Sequence, residues 1–145
     1  MAVYTRLDLT NKQSLVFQGI EVTGGKISKG NLTINVIFIY CPPKQASVRN
    51  IQLLIHNLVS IFHFKENTVI LGDFNIDILE NSYLETMMVQ FGFFPKVREI
   101  TTDYKTSLDQ IFVNFDHPGI NYGVQESYYS DHKPIFISIP ILIDQ

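Results

Sequence analysis

Apolar residues recur at three- and four-residue steps in two segments of the chain, the spacing of a helix with one buried face. The first segment covers residues 48–62 and the second covers residues 83–91. Ser47 precedes the first segment and is a favourable N-cap, because its hydroxyl can accept a hydrogen bond from an amide of the first turn. Gly92 is placed to end the second segment. The pattern therefore predicts two amphipathic helices.

Other segments are rich in β-branched and aromatic residues and are bounded by turn residues, as buried strands are. Residues 32–40 and 68–73 are the most continuously apolar of these segments. Residues 24–26 contain paired glycines and predict a hairpin turn, because glycine supplies the positive φ angles that tight turns need. Further strands are predicted at residues 2–7, 96–101, 108–114 and 133–141. Strands and helices alternate in the middle of the chain, which predicts a layered α/β domain.

The composition is that of a compact domain without a strong charge. The 145 residues are 46% hydrophobic and 17% charged, so one domain covering residues 1–145 is expected. The formal net charge of −3 gives no basic surface for sequence-independent binding to nucleic acid. Cys41 is the single cysteine, which excludes an internal disulfide and favours an intracellular setting. No apolar run approaches the roughly 18 to 20 residues of a membrane span, so a soluble protein without membrane contact is expected.

Polar side chains gather where several of the predicted strands begin or end. These residues are Tyr40, Asp73, Asn75, Asp109, Ser130, Asp131 and His132. In α/β sheets, ligands bind in the crevice beyond the strand ends, where loops present side chains from a rigid base. The distribution predicts one shared site.

Each of these residues also has a structural interpretation when it is considered alone. Asp73 and Asn75 are typical of a turn that ends a strand. Tyr40 is equally consistent with packing in the core, and Asp109 with the start of a strand. A lone histidine such as His132 is more often structural or exposed than catalytic. Their combination, rather than any single residue, therefore indicates a functional site.

Four motifs, in this order, closely resemble the endonuclease/exonuclease/phosphatase superfamily. They are IYCPP at 39–43, GDFNID at 72–77, TSLDQIF at 106–112 and YYSDHKPIF at 128–136. AVYTR at 2–6 is also similar to a strand of that family, and the last two motifs look most like its transposon-encoded branch. The resemblance implies the C-terminal part of a layered α/β sandwich of the DNase I-like type, with mixed or antiparallel sheets flanked by helices.

The resemblance also implies roles in phosphodiester hydrolysis. Asp73 would orient or deprotonate the attacking water, and Asn75 would hold the water or a phosphate oxygen through its amide. His132 would contact the scissile phosphate, while Asp109 would fix its tautomer and favour its charged form. Tyr40 would donate a hydrogen bond to a phosphate oxygen. All five would thus act on a single scissile phosphate.

The implied cofactor is Mg²⁺, with Mn²⁺ as the alternative, and Asp131 would support the metal side of the site. In the family, an asparagine and a metal-binding glutamate precede the strand that AVYTR resembles. This sequence begins after both, so it resembles about 60% of such a domain, and weakened metal binding is expected. No acid near the start is an evident substitute for this glutamate; Glu21 is possible in principle, but nothing in its context supports it.

Three functions follow from these expectations. The first is a Mg²⁺-dependent DNA endonuclease of mobile-element origin, in a longer parent protein with fused polymerase or helicase domains. The second is a catalytically inactive remnant or binding module that keeps the fold. The third is a related hydrolase acting on phosphoinositides or sphingolipids. Self-association through an exposed sheet edge near residues 1–7 is a further expectation, and a nuclear location follows only from the first function.

Overall fold

The structure is a computed structural model that describes residues 8–127 and 130–140. The strand predicted at 2–7 lies outside the described residues. Within the described ranges the strands are β1 (Thr10–Phe17), β2 (Ile20–Lys29), β3 (Leu32–Tyr40), β4 (Thr68–Asp73), β5 (Phe94–Pro95), β6 (Asp109–Val113), β7 (Asn121–Val124) and β8 (Ile135–Ser138). The helices are α1 (Val48–Phe62) and α2 (Tyr83–Gln90), and a single 3-10 turn covers Pro43–Gln45. None of the helices in these ranges is long and apolar enough to cross a membrane.

Six strands form one mixed sheet, in the order β1-β2-β3-β4-β6-β5. All neighbours are antiparallel except β3 and β4, which are parallel. A parallel pair needs a crossover connection, and α1 provides it between β3 and β4. A mixed sheet with helices packed on it agrees with the predicted α/β class.

The large sheet is covered differently on its two faces. Side chains alternate between the faces along each strand, so Ile37 and Ile39 of β3 pack with the buried residues of α1 and α2. Val36 and Phe38 point to the opposite face, where residues of β7 and β8 contact them as part of a second apolar cluster. β7 and β8 form a separate two-stranded antiparallel sheet. The result is a layered arrangement with helices on one side of the sheet and a small sheet on the other.

Helix α1 has the predicted bounds and the predicted cap. Ser47 has an extended backbone and its hydroxyl accepts a hydrogen bond from the Asn50 amide at 3.1 Å. Five apolar side chains of the predicted face are buried: Ile51, Leu54, Ile55, Leu58 and Phe62. Both signals are local in sequence, which explains why the prediction for this helix is confirmed residue by residue.

The hairpin turn predicted at 24–26 is wrong, because these residues lie inside β2. Gly24 lies against the ring of Phe62, and a Cβ at this position would overlap that ring. The glycine therefore allows α1 to approach the sheet closely, as glycines inside strands often do. The positive φ angles that turns require occur instead at Gly19 and Gly30, with φ of 82° and 60°.

The strand predicted at 96–101 is also wrong. β5 covers Phe94–Pro95, and the pairing with β6 continues only through the Lys96 amide, which donates to the Ile111 carbonyl at 2.8 Å. The chain then leaves the sheet. Arg98 forms a two-point ion pair with Glu85 of α2. This part of the chain makes side-chain contacts in place of a strand ladder, and it continues as a loop that leads to the candidate site.

Candidate active site

The register of the large sheet brings three predicted site residues into one row. Tyr40 of β3 lies opposite Asp73 of β4, and Asp73 lies opposite Asp109 of β6. Directly opposed residues point to the same face of a sheet. That face carries the second apolar cluster, beside β7 and β8. The large sheet alone therefore places a phenol and two carboxylates side by side at one end of its central strands.

His132 reaches this row from the segment that precedes β8. Its backbone forms an isolated antiparallel bridge with Thr102. On either side, the Asp103 amide donates to the Asp131 carbonyl at 2.9 Å and the Lys133 amide donates to the Thr101 carbonyl at 2.7 Å. The loop that follows Arg98 thus fixes His132 by backbone hydrogen bonds to the residues on both sides of it.

The imidazole of His132 contacts both carboxylates. Its Nδ1 lies 2.8 Å from Oδ2 of Asp109, a hydrogen bond of charge-assisted length, and 3.9 Å from Oδ2 of Asp73. Asp109 is almost wholly buried, whereas the side chain of His132 keeps 33% of its surface exposed. Since Nδ1 is engaged with Asp109, Nε2 is the imidazole atom left to meet a substrate.

The turn that follows β4 holds Asp73 and Asn75 in a strained, well-bonded conformation. Asn75 has a positive φ of 51°, and its backbone amide donates to Oδ1 of Asp73 at 2.9 Å. Its side-chain Nδ2 donates to the carbonyl of Cys41 at 2.6 Å, beyond the end of β3. Positive φ at a residue other than glycine is uncommon and is often found at functional sites. Asn75 is therefore anchored beside Asp73.

The electrostatics of the group favour a charged histidine between two acids. Burial raises the pKa of Asp73, and the neighbouring charge of Asp109 raises it further. Burial also raises the pKa of Asp109, partly offset by hydrogen bonds from His132 and Thr101. Burial lowers the pKa of His132, but the hydrogen bond and charge of Asp109 outweigh it, so the pKa lies above the ordinary 6.5. The histidine can therefore remain protonated at a pH where an exposed histidine is neutral.

We expect the imidazole of His132 to titrate above pH 6.5 in metal-free protein and its pKa to fall in Asp109→Asn, because asparagine carries no charge. The imidazole carbon protons, followed by NMR in EDTA, measure both values. Since this pKa is higher in the folded chain than in the unfolded chain, protonation stabilises the fold below about pH 6.5, and the contribution is lost as pH rises through the folded-state value. Equal pKa values in the two proteins would contradict this account.

The same group has the donors that a metal ion needs. Asp73, Asp109 and His132 each have one potential ligand atom, and these atoms lie within 4.8 Å of one another, although the imidazole can bind a metal only in its neutral form. The two carboxylates repel each other when both are ionised, which contributes to the raised pKa of Asp73, and a cation would relieve that repulsion. Carboxylate oxygens suit hard divalent cations. The group could therefore bind a metal ion.

The structure places the other candidate residues differently. Asp131, the predicted metal residue, is exposed and lies outside this three-residue group, although its charge raises the pKa of His132. Neighbouring residues in an extended segment point in opposite directions, which explains why His132 belongs to the three-residue group and Asp131 does not. Tyr40 is half-buried in the row. Glu21 of β2 lies opposite Tyr40, so it extends the row by one exposed acid.

Sequence patterns did not identify Thr101, which is fully buried beside Asp109. Its hydroxyl oxygen accepts hydrogen bonds from the amides of Leu108 and Asp109, at 3.0 and 3.2 Å. A threonine eight positions before an aspartate carries no periodic signal. Only the folded loop shows that Thr101 fixes the backbone of a site residue.

No protein-family model and no curated protein sequence matches this chain. Solved structures do match it. The endonuclease domain of TRAS1, a telomere-specific non-LTR retrotransposon, has a TM-score of 0.66 at 16% identity, over 90% of this chain and 70% of that one. An endonuclease/exonuclease/phosphatase family protein from Leptotrichia buccalis has a TM-score of 0.63 at 19% identity, over 94% and 63%. Sphingomyelinase C from Streptomyces griseocarneus has a TM-score of 0.64 at 11% identity, over 94% and 66%.

These likenesses, all at low sequence identity, concern the fold. The chain has the α/β fold of endonuclease/exonuclease/phosphatase proteins, of the DNase I-like type. The family resemblance and the fold class predicted from four short motifs are thereby confirmed at the level of the fold. The chain spans 63% to 70% of the lengths of these three structures. The activities named for those proteins bear on this chain only as the basis of a proposal.

Proposed function

We propose that this chain is a metal-dependent phosphodiester hydrolase that cleaves DNA, with Mg²⁺ as its metal and a mobile element as its origin. The observation that carries the proposal is the hydrogen bond of 2.8 Å between His132 and Asp109, formed beside Asp73 at the end of three paired strands. A charged imidazole, oriented by one buried acid and adjoining a second, suits a substrate that carries negative charge.

Each residue has a task that its geometry supports. Asp109 accepts from Nδ1 and so leaves Nε2–H of His132 to donate to an oxygen of the scissile phosphate. Asp73 lies 3.9 Å from the imidazole, where its carboxylate would orient the attacking water. Asn75 fixes Asp73 through its amide, and we propose that its side-chain carbonyl accepts from the same water. Tyr40 would donate its hydroxyl to a second phosphate oxygen from the neighbouring strand.

Mg²⁺ bound here would neutralise the charge that develops on the phosphate oxygens. We propose Asp73 and Asp131 as its protein contacts, with Mn²⁺ as the alternative metal. Mg²⁺ retains several waters and is held weakly by one or two carboxylates. We therefore expect activity to require millimolar Mg²⁺, in keeping with the weakened metal binding expected from the sequence.

Two alternatives remain separate proposals. An inactive remnant or binding module would keep the fold but not the reaction. A lipid phosphodiesterase is consistent with the fold, since sphingomyelinase C also matches. DNA is preferred because the motifs around Asp109 and His132 look most like the transposon-encoded branch, and TRAS1 is named as a retrotransposon endonuclease. Fused polymerase or helicase domains and a nuclear location stay predictions that depend on this origin. Self-association stays a separate prediction that depends on an uncovered sheet edge.

We expect the purified chain to nick supercoiled plasmid in about 5 to 10 mM Mg²⁺, because two carboxylates hold this ion weakly, and not to nick it in EDTA. Asp73→Ala, purified in the same way, controls for contaminating nuclease. Sphingomyelin and phosphoinositide vesicles, assayed in parallel, test the lipid alternative. Loss of nicking in EDTA and in the variant would support the proposal, whereas a folded chain that leaves the plasmid intact at every Mg²⁺ concentration would reject it in favour of the binding module.

A further inference from the structure

Three successive backbone amides at the start of β6 donate hydrogen bonds to side-chain oxygens, and these oxygens belong to two distant loops. The amide of Ser107 donates to Oδ1 of Asp77 at 2.9 Å. The amides of Leu108 and Asp109 donate to the hydroxyl of Thr101. Asp77 and Thr101 therefore hold residues 107–109 from opposite sides.

The position of these amides matters because Asp109 is the residue that orients His132. A hydrogen bond of 2.8 Å between Asp109 and His132 weakens if either group moves by a few tenths of an ångström. The carbonyl of Leu108 accepts from the Phe74 amide at 2.9 Å, directly after Asp73. Residues 107–109 are thus the point where the turn after β4 and the start of β6 are joined.

Asp77 is itself firmly placed, which allows it to act as an anchor. The same Oδ1 accepts from the Leu79 amide at 3.2 Å, a local turn contact of the kind expected from the sequence. Its carbonyl accepts from the Asn81 amide at 2.9 Å, and the adjacent Ile78 amide donates to the Ser107 carbonyl at 3.2 Å. The carboxylate is half-buried between the two segments. It therefore links a rigid turn to residues 107–109 over 30 positions of sequence.

We propose that Asp77 is a positioning residue: its carboxylate fixes residues 107–109 and thereby sets the hydrogen bond between Asp109 and His132. Asp77 performs this task as a hydrogen-bond acceptor and not through its negative charge. An asparagine substituted at this position should therefore fix residues 107–109 equally well. The consequence for catalysis rests on the function proposed above. The effect on the geometry of His132 does not, and it can be measured in the absence of any reaction.

The test compares three substitutions at one position. Asp77→Asn keeps an oxygen that can accept from Ser107. Asp77→Ser keeps a hydroxyl for the local turn contact with Leu79 but is one bond too short to reach Ser107. Asp77→Ala removes both contacts. Asp116→Ala, at an exposed aspartate in the loop after β6, is the matched control for loss of a carboxylate.

The readout is the Nδ1–H signal of His132 in ¹⁵N-histidine-labelled protein, recorded in EDTA near pH 6 and assigned by its absence in His132→Ala. We expect the signal to persist in wild type, Asp77→Asn and Asp116→Ala, and to be lost to solvent exchange in Asp77→Ser and Asp77→Ala. Circular dichroism shows whether each variant is folded. If Asp77→Ala is unfolded, Asp77→Ser alone tests whether the contact with Ser107 is needed for the Nδ1–H signal. A signal that persists in folded Asp77→Ser, or is lost in Asp77→Asn, would overturn the proposal.

Plasmid nicking supplies the second readout and separates the two proposals. We expect kcat in Asp77→Ser to fall at least tenfold with KM changed less than twofold, and Asp77→Asn to restore the rate to within threefold of wild type. Such a pattern follows when binding groups remain and only the orientation of His132 changes. If wild type does not nick DNA but the NMR pattern is as expected, the proposed function fails while the positioning role of Asp77 stands.

Discussion

His132→Ala is expected to lower the rate of plasmid nicking by about 10³- to 10⁴-fold, the upper range for removal of a positioned proton donor. The imidazole is the partly exposed member of the site, and its Nδ1 is already bound to Asp109. No other side chain in the described part of the chain forms the same group with Asp73 and Asp109. Single-turnover nicking with saturating Mg²⁺ measures the chemical step and removes any effect on metal affinity.

Two further variants show whether His132 and Asp109 act as one unit. Asp109→Asn alone should lower the rate strongly, but adding it to His132→Ala should lower the rate no further, because Asp109 acts through the imidazole. His117→Ala changes a histidine in the loop between β6 and β7 and should keep the wild-type rate. A double variant much slower than His132→Ala would mean that Asp109 contributes independently, and a near-normal rate for His132→Ala would exclude this mechanism.

The parts of the fold that the sequence predicted are those with local causes. The amphipathic spacing of α1 and the hydroxyl of Ser47 lie within one short segment, and the helix has the expected bounds. β3 and β4 are identified by their apolar runs because both faces of the central strands are covered. Where the structural cause lies far along the chain, the predictions fail. Gly24 belongs to a strand because it packs against Phe62, 38 positions away.

The same distinction applies to the candidate site. Its members were identified as polar residues at strand ends, and the structure brings Asp73, Asp109 and His132 together. The placement of Tyr40, Asp73 and Asp109 in one row depends on strand register, which links residues 33 to 36 positions apart along the chain. The bridge between Thr102 and His132 sets the orientation of the segment before β8. This orientation decides which of Asp131 and His132 joins Asp73 and Asp109. Register and orientation of this kind arise from tertiary packing and leave no pattern in composition or periodicity.

Gly72→Ala is expected to destabilise the fold by at least about 3 kcal/mol, combining backbone strain with steric overlap. Gly72 has a φ of 145°, and a Cβ at this position would overlap the carbonyl oxygen of Ile39 in the neighbouring strand. β3 and β4 are parallel here and hold Tyr40 beside Asp73. Separation of the two strands would therefore disturb the site as well as the core. Urea unfolding followed by circular dichroism measures the loss.

Gly92→Ala provides the matched control, because it isolates backbone strain from steric overlap. Gly92 also has a positive φ, 85°, but a Cβ there would meet no atom within 4 Å. Its replacement should cost only about 1 kcal/mol, the usual penalty for an L-residue in this region of φ. The difference between the two variants then combines the contact with Ile39 and the extra backbone strain at the φ of Gly72. Equal losses would show that the close approach of β3 and β4 at Gly72 contributes nothing, and that Gly72 is needed for its backbone angle alone.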